Sequence, residues 1–306
     1  MAVRLSSKAD ASLPGLLAEP APRSGVELVW LGQAGFLIRG AHATVVIDPY
    51  LSDSLAAKYR GRELAHERMM AVPVPPSALA PVDLVLVTHA HTDHLDPGTL
   101  PGLAAANPNA RFVIPRAHLA PARERGVPPV RTVPVNAGES WSLAGGPPPA
   151  ATIHAVPAAH EERERDEAGN DRYLGYVVEL AGLTVYHSGD CVPFPGMVEL
   201  LRGYRVDLAL LPINGRDEFR ASRGVPGNFT VEEAWGLASE IGASALVGHH
   251  FGMFEFNTVD PGEACDRFEL CRASAAGDGP AGPSHGPDVT LPGPGVRYRF
   301  EPGDRA

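Results

Sequence analysis

The stretch VDLVLVTHAHTDHLD, residues 82 to 96, constrains the fold more than any other part of the chain. A continuous apolar run stops at a cluster of polar residues, the signature of a strand buried on both faces that delivers side chains at its C-terminal end. Past that stop, His89, His91, Asp93 and His94 fall within six residues. If the strand ends near Thr88 and the chain turns, the alternate residues His89 and His91 point to one side. Asp93 and His94 then reach a second point just beyond. Imidazole and carboxylate are ligands that Zn, Mn or Fe accept at neutral pH, and no thiol is needed. The pattern H-x-H-x-D-H therefore reads as half of a two-metal site.

Histidine marks the remaining places of interest. Of 12 histidines, seven stand where an apolar run ends: His89, His91, His94, His160, His187, His249 and His250. The text between them alternates. VELVWLGQAGFLIRGAHATVVIDPY, residues 26 to 50, reads as three short strands separated by Gly-containing turns, and 51 to 81 as a Pro-interrupted loop over the sheet. After the histidine run come a helix, the strand RFVIP, a helix and the strand PVRTVPV, an alternation that argues a layered α/β domain. ATIHAVPAAH and YLGYVVELAGLTVYHSGD read as two further strands around the charged loop EERERDEAGND. The last third repeats the pattern: helix near 195 to 202, strand VDLALLPI, loop NGRDEFRASRGVPGN, a helix capped by Asn228 or Thr230, strand ALVGHH and a helix near 260 to 272. Residues 277 to 295, with 11 Gly or Pro among 19, form a surface crossing before a final edge strand, VRYRF. Residues 1 to 25 are taken as a lead, 26 to 300 as one domain and 301 to 306 as a tail.

Composition closes off other classes. The net charge of −10 leaves no surplus of Lys and Arg for general binding to nucleic acid. No stretch approaches the length of apolar sequence that a membrane span needs, and the N-terminus lacks the apolar core of a signal peptide. Cys191, Cys265 and Cys271 are an odd count without zinc-finger spacing, which favours a reducing compartment, the cytoplasm. Assembly into a homo-oligomer stays open.

The histidine motif, its place after an apolar strand and the order of the later segments resemble the metallo-β-lactamase fold superfamily. That resemblance implies a four-layer αββα sandwich and supplies the rest of a ligand set. VPAAH matches the segment giving a third histidine to the first metal, His160. YHSGD matches the segment giving a bridging carboxylate, Asp190. GHHFGMF matches the last ligand-bearing strand end and selects His250 over His249, while His154 is expected to be a packed or surface histidine and His187 either to support the ligands from behind or to be structural. The implied division is His89, His91 and His160 on one ion and Asp93, His94 and His250 on the other, with Asp190 shared. WLGQAGFLI, IDPYLSDS, LLPINGRDEFR, GNFTVEEA and GHHFGMFEFNT together resemble the L-ascorbate-6-phosphate lactonase-like branch. YRGRELAHERMMAVPVPP is similar, more faintly, to the segment before the metal motif in phosphodiesterase members such as N-acylphosphatidylethanolamine phospholipase D.

Two divalent ions, Zn or Mn with Fe as a further option, would hold a bridging hydroxide, because a shared water loses its proton near pH 7. Asp93 is the expected catalytic proton shuttle. The expected reaction is opening of a small lactone or ester bearing phosphate or carboxylate, with phosphodiester hydrolysis as the alternative. For substrate binding, Arg216, Arg220 and Arg223 recur at intervals of four and three, which on one helical turn would give them a common face toward an anion. Asn214 and Asn228 are expected to orient polar groups of the substrate.

Overall fold

The structure, a computed structural model, describes residues 3–10, 12–145, 148–276 and 286–303. Its strands, in chain order, are β1 (Val3–Asp10), β2 (Val26–Gly32), β3 (Gly35–Arg39), β4 (Thr44–Ile47), β5 (Leu84–Leu86), β6 (Arg111–Pro115), β7 (Thr132–Val135), β8 (Ser140–Leu143), β9 (Ala151–Pro157), β10 (Leu174–Leu180), β11 (Leu183–His187), β12 (Leu208–Pro212), β13 (Ala245–His249), β14 (Asp288–Thr290) and β15 (Val296–Pro302). They form an eight-stranded sheet in the order β1-β15-β2-β3-β4-β5-β6-β7 and a seven-stranded sheet in the order β14-β13-β12-β11-β10-β9-β8. Each sheet is antiparallel at one end and parallel at the other, the parallel pairs being β4 through β7 and β11 through β14. With helices on the outer faces this is the four-layer αββα sandwich.

Period-2 alternation explains why strands that read as unbroken apolar runs are buried on both sides. In β2, Val26, Leu28 and Trp30 pack into the core between the sheets with Tyr176, Val178 and Val185 of the second sheet. Val29 and Leu31 point the other way, into a second core with Leu100 and Leu103 of the helix Leu100–Ala106. On the far side the helix Val231–Glu240 packs Ala234, Trp235 and Ala238 into the core, and Trp235 meets Phe268 of the helix Pro261–Ala276. Of the two residues proposed to cap the helix, Thr230 does so. Its side chain accepts from Glu233 N, and Glu233 answers from the third position, a capping box.

Three expectations need correction. The segment YLGYVVELAGLTVYH is a hairpin, β10 and β11, because Ala181 and Gly182 both take left-handed φ values, 51° and 81°, and reverse the chain between Leu180 and Leu183. VRYRF is not an edge strand, since β15 lies between β1 and β2, and the lead is what covers it. The lead itself is therefore strand β1 followed by the helix Leu13–Ala18, whose Leu13 and Leu16 are buried in the outer core. Of the Gly/Pro-rich crossing, 277–285 lie outside the described residues, as do 304–306 of the tail.

Candidate metal centre

All the metal-site candidates sit just past strand ends on one rim of the sandwich, where the two sheets meet. Past β5, His89 and His91 turn one way and Asp93 and His94 the other; His160 follows β9, Asp190 follows β11 and His250 follows β13. The structure brings them into two groups. His89, His91, His160 and Asp190 present ligand atoms within 4.8 Å of one another, and Asp93, His94 and His250 do the same. Asp190 stands between the groups. Its Oδ1 lies 3.3 Å from His94 Nε2, and its Oδ2 lies 3.2 Å from His250 Nε2 and 3.7 Å from His160 Nε2. Gly189 makes this approach possible: at φ +63° a Cβ there would meet Thr88 Cβ at 2.8 Å and Leu174 O at 3.0 Å. Three site residues that are not glycine, Gln33, Asp48 and His250, also hold left-handed φ angles of 53°, 44° and 64°. Such strain gathers where packing fixes a functional geometry.

Two buried residues that sequence reasoning did not single out orient this cluster. Asp48, at the end of β4, accepts from His94 Nδ1 at 2.7 Å, from Thr88 N at 2.8 Å and from Thr88 Oγ1 at 2.6 Å. It fixes the His94 ring so that Nε2 faces Asp190, the arrangement by which a carboxylate behind a histidine sets ring orientation and basicity. Gln33, in the β2–β3 turn, donates from Nε2 to Asp93 Oδ2 at 2.9 Å, and its carbonyl accepts from His250 N at 3.0 Å and from Trp30 Nε1 at 2.9 Å. Arg125 clamps the metal-motif loop by donating from Nη1 to Ala90 O at 2.6 Å and Leu95 O at 3.0 Å. Both stand in segments that carry the family resemblance, WLGQAGFLI and IDPYLSDS, but nothing marked either residue there beyond a polar side chain interrupting apolar text.

The donor set fits a cation. His89 Nε2, His94 Nε2 and Asp190 Oδ1 are buried, face the cluster and find no well-aligned hydrogen-bond partner among the described residues. Leaving such groups unpaired costs about 1–3 kcal/mol each, more when charged, which a bound divalent ion would relieve. Electrostatics divide the two groups. Burial pushes His89 well below the usual histidine value, and burial likewise takes His160 down to about 4, so these imidazoles are neutral with lone pairs free. His94 goes the other way. Burial opposes its charge, but the carboxylates of Asp190, Asp48 and Asp93 together hold it well above the ordinary value.

The cluster forms the floor of a cleft of about 1140 Å³ in which His91 and Asp93 are partly exposed. Leu55, Tyr59, Phe254 and Phe256 give it apolar lining, and His66 and residues 222–226 line it as well. Of the five residues expected to bind substrate, only Arg223 lines it. Arg216 and Arg220 do not share a helix face with it, because the helix is only Glu218–Ala221 and Arg216 precedes it. Arg216 forks onto Glu233 at 2.7 and 2.6 Å. Arg220 is buried, donating to Asp217 Oδ2 at 2.6 Å, Asn257 Oδ1 at 2.8 Å and Asn214 O at 2.9 Å. Asn214 and Asn228 are buried in the same network, bonded to each other at 3.2 Å, with Asn214 also donating to Asn257 at 2.7 Å. These four side chains hold a loop together, and none of them is among the residues that line the cleft.

The beta-lactamase superfamily domain matches residues 43–251, more than half of the chain and the part that carries every ligand candidate. The chain belongs to the beta-lactamase superfamily. A metal-dependent hydrolase of Polynucleobacter asymbioticus is 32% identical over 219 residues, 65% of this chain and 69% of that protein. Another, of Methanoculleus marisnigri, is 30% identical over 237 residues, 75% of this chain and 82% of that protein. The protein is accordingly a metal-dependent hydrolase of this superfamily. Among solved structures, the isothiocyanate hydrolase from Delia radicum gut bacteria superposes with a TM-score of 0.65 at 19% identity, covering 90% of this chain and 99% of that one. Igni18, a metallo hydrolase of Ignicoccus hospitalis, gives 0.62 at 20% identity with 92% and 100% covered. CmlA, a diiron beta-hydroxylase of Streptomyces venezuelae, gives 0.61 at 18% with 92% and 55% covered. At these identities the likeness is one of fold, and the chemistry has to be argued from the site.

Of the histidines singled out beside the ligand candidates, His187 and His154 have hydrogen-bond partners, while His249 finds none among the described residues. His187 Nε2 donates to Ala34 O at 2.8 Å, and its Nδ1 accepts from Gly189 N at 3.0 Å. His249 is buried between the sheets, stacked on His187 at 4.9 Å and outside both ligand groups. His154 bonds to Ser140 Oγ at 2.7 Å on β9. Burial pushes the Cys191 thiol up to about 12, so it is not a reactive thiolate. No helix among the described residues is long and apolar enough to cross a membrane.

Proposed function

We propose that the protein hydrolyses a small lactone or ester bearing phosphate or carboxylate, in the manner of L-ascorbate-6-phosphate lactonases. It would hold two divalent ions, Zn or Mn with Fe as a further option. His89, His91 and His160 would hold one, Asp93, His94 and His250 the other, and Asp190 would touch both. The observation that carries this reading is the Asp190 carboxylate, lodged between imidazoles of the two groups with a buried oxygen that has no well-aligned hydrogen bond among the described residues. When bound, such an ion pair supplies an acidified water at neutral pH and a Lewis acid for the substrate carbonyl.

The chain's own residues complete the reaction. Asp93, at the cleft floor with 15% of its side chain exposed, takes the proton of the attacking water on a carboxylate oxygen and returns it to the leaving alkoxide. Gln33 Nε2 holds that carboxylate toward the cleft, 2.9 Å away. Asp48 keeps His94 aligned behind it, and Arg125 keeps the loop that carries Asp93 in place. The unpaired state of Cys191, Cys265 and Cys271 supports a cytoplasmic setting.

The test is a screen of the purified protein, loaded with Zn or with Mn, against lactones, sugar-phosphate lactones and phosphodiesters. Turnover of lactones with none of phosphodiesters is expected. Phosphodiester turnover alone would replace this reading with a phosphodiesterase.

A further inference from the structure

The cleft mouth inverts the charge of the protein. The chain has 36 acids against 26 bases. Apart from the carboxylates of the metal cluster, however, the cleft lining holds Lys58, Arg60, Arg62, Arg125 and Arg223 against one acid, Glu63. Away from the cleft several arginines are paired with carboxylates, Arg216 with Glu233, Arg220 with Asp217 and Arg267 with Glu232. Among the described residues, Lys58, Arg60 and Arg62 have no carboxylate within salt-bridge distance. Lys58 Nζ instead reaches Thr92 Oγ1 at 3.4 Å, between His91 and Asp93 of the metal motif. A low-dielectric cleft lined by one sign of charge concentrates ligands of the other sign.

Glu63 is where that surplus is answered. It belongs to the same lining segment as Lys58, Arg60 and Arg62, and its Oε1 accepts from Arg223 Nε of the facing 222–226 segment at 2.7 Å. Arg223 is held in place from behind, its guanidinium over the Phe219 ring at 3.9 Å. A carboxylate fixed against a positioned guanidinium at the mouth of a site occupies the place that a ligand anion would take. Both partners are exposed, 32% for Arg223 and 69% for Glu63, so the pair is weak and exchangeable.

We infer that an anionic group of the substrate, phosphate or carboxylate, is gripped between Lys58, Arg60 and Arg62 on one wall and Arg223 on the other, displacing Glu63 from Arg223. This deepens the hydrolase reading above by naming the residues that grip the anion. It assigns that role to the 58–63 segment and Arg223 in place of Arg216 and Arg220.

The experiment is calorimetric titration of the full, metal-loaded protein with inorganic phosphate and separately with succinate. It compares wild type with Glu63→Gln, Arg223→Gln, the double variant and a triple variant of Lys58, Arg60 and Arg62 to Gln. Any binding to the metals is common to all five proteins, so the differences report on the cleft mouth. Glu63→Gln should tighten binding about two- to fivefold, the scale of an exposed ion pair removed as competitor. Arg223→Gln and the triple variant should each weaken it about tenfold, and in the double variant the gain from Glu63→Gln should vanish. An effect with phosphate alone, succinate alone or both assigns the anion. Equal affinities across the set, or a loss confined to one wall, would overturn the inference. Because the readout is binding and not turnover, anion binding without lactone or ester hydrolysis would leave the anion grip standing and remove only the lactone or ester reading above.

Discussion

The metal cluster and the arginine segment 216–223 both stand out in the sequence as polar side chains at suggestive spacing, and they fold to opposite ends. The cluster leaves buried ligand atoms without well-aligned hydrogen bonds among the described residues, whereas in the segment Arg216 and Arg220 find intramolecular partners. The reason lies in reach and rigidity. Histidine and aspartate are short, so a strand end fixes where their donor atoms go. Arginine is long and takes whichever carboxylate or carbonyl packing brings near. Buried polarity without a partner is therefore a signal of the site where several such groups converge on one point, as His89, His94 and Asp190 do, whereas His249 and Asn228 carry unpartnered atoms singly within the scaffold.

Substitutions can break or sharpen that contrast. The largest effect is expected at Asp93: Asp93→Asn keeps size but weakens charge and proton-accepting ability, so turnover should fall by about 10² or more while at least part of the metal remains. Steady-state kinetics paired with metal analysis would show it, and near-normal turnover at full metal content would remove Asp93 from the proton path. Next comes Asp48→Asn, which touches no substrate. Loss of a carboxylate behind a ligand histidine weakens metal affinity about 10- to 100-fold, and here the loss should fall on the His94 group alone.

The two groups should also respond differently to pH. Without metal, His94 is held charged, against burial, by Asp190, Asp48 and Asp93, so an ion entering that group must expel a proton and its affinity should rise with pH. Burial already keeps His89 and His160 neutral, so affinity at their group should stay flat around neutrality. Competition titrations with a chelating dye at several pH values would resolve the two slopes. The smallest effects belong to the arginines. Arg220→Ala should cost roughly 2 kcal/mol of stability through its buried bonds to Asn257 and Asn214, and Arg216→Ala less than about 1 kcal/mol through its half-exposed pair with Glu233. Denaturant melts would measure both. Neither variant should discriminate between charged and neutral substrates, and a selective loss with charged ones would return those residues to the binding site.

Legibility in the sequence divides along the same line. His89, His91, Asp93 and His94 form a local pattern of six residues, whereas His160, Asp190 and His250 were reached only through the family resemblance, and the layered α/β class came from the alternation of helices and strands. The partners of the arginines are not local: Glu233 lies 17 residues from Arg216, Asn257 lies 37 from Arg220 and Glu63 lies 160 from Arg223. The pairing of β1 with β15, which turned an apparent edge strand into an interior one, joins opposite ends of the chain. Asp48 and Gln33 escaped for a related reason. Each is a single polar residue at the end of an apolar run, and only the folded chain shows that one backs His94 and the other holds Asp93.

The central claim is that one carboxylate, Asp190, joins two separable metal sites. Elemental analysis of the reconstituted protein alongside His91→Ala and His250→Ala tests it most directly. Two ions per chain are expected in the wild type, with each variant depleted at a different site, as read by adding back a spectroscopically distinct ion such as Co²⁺. At most one ion per wild-type chain after reconstitution, or equal loss of both ions in each variant, would contradict it.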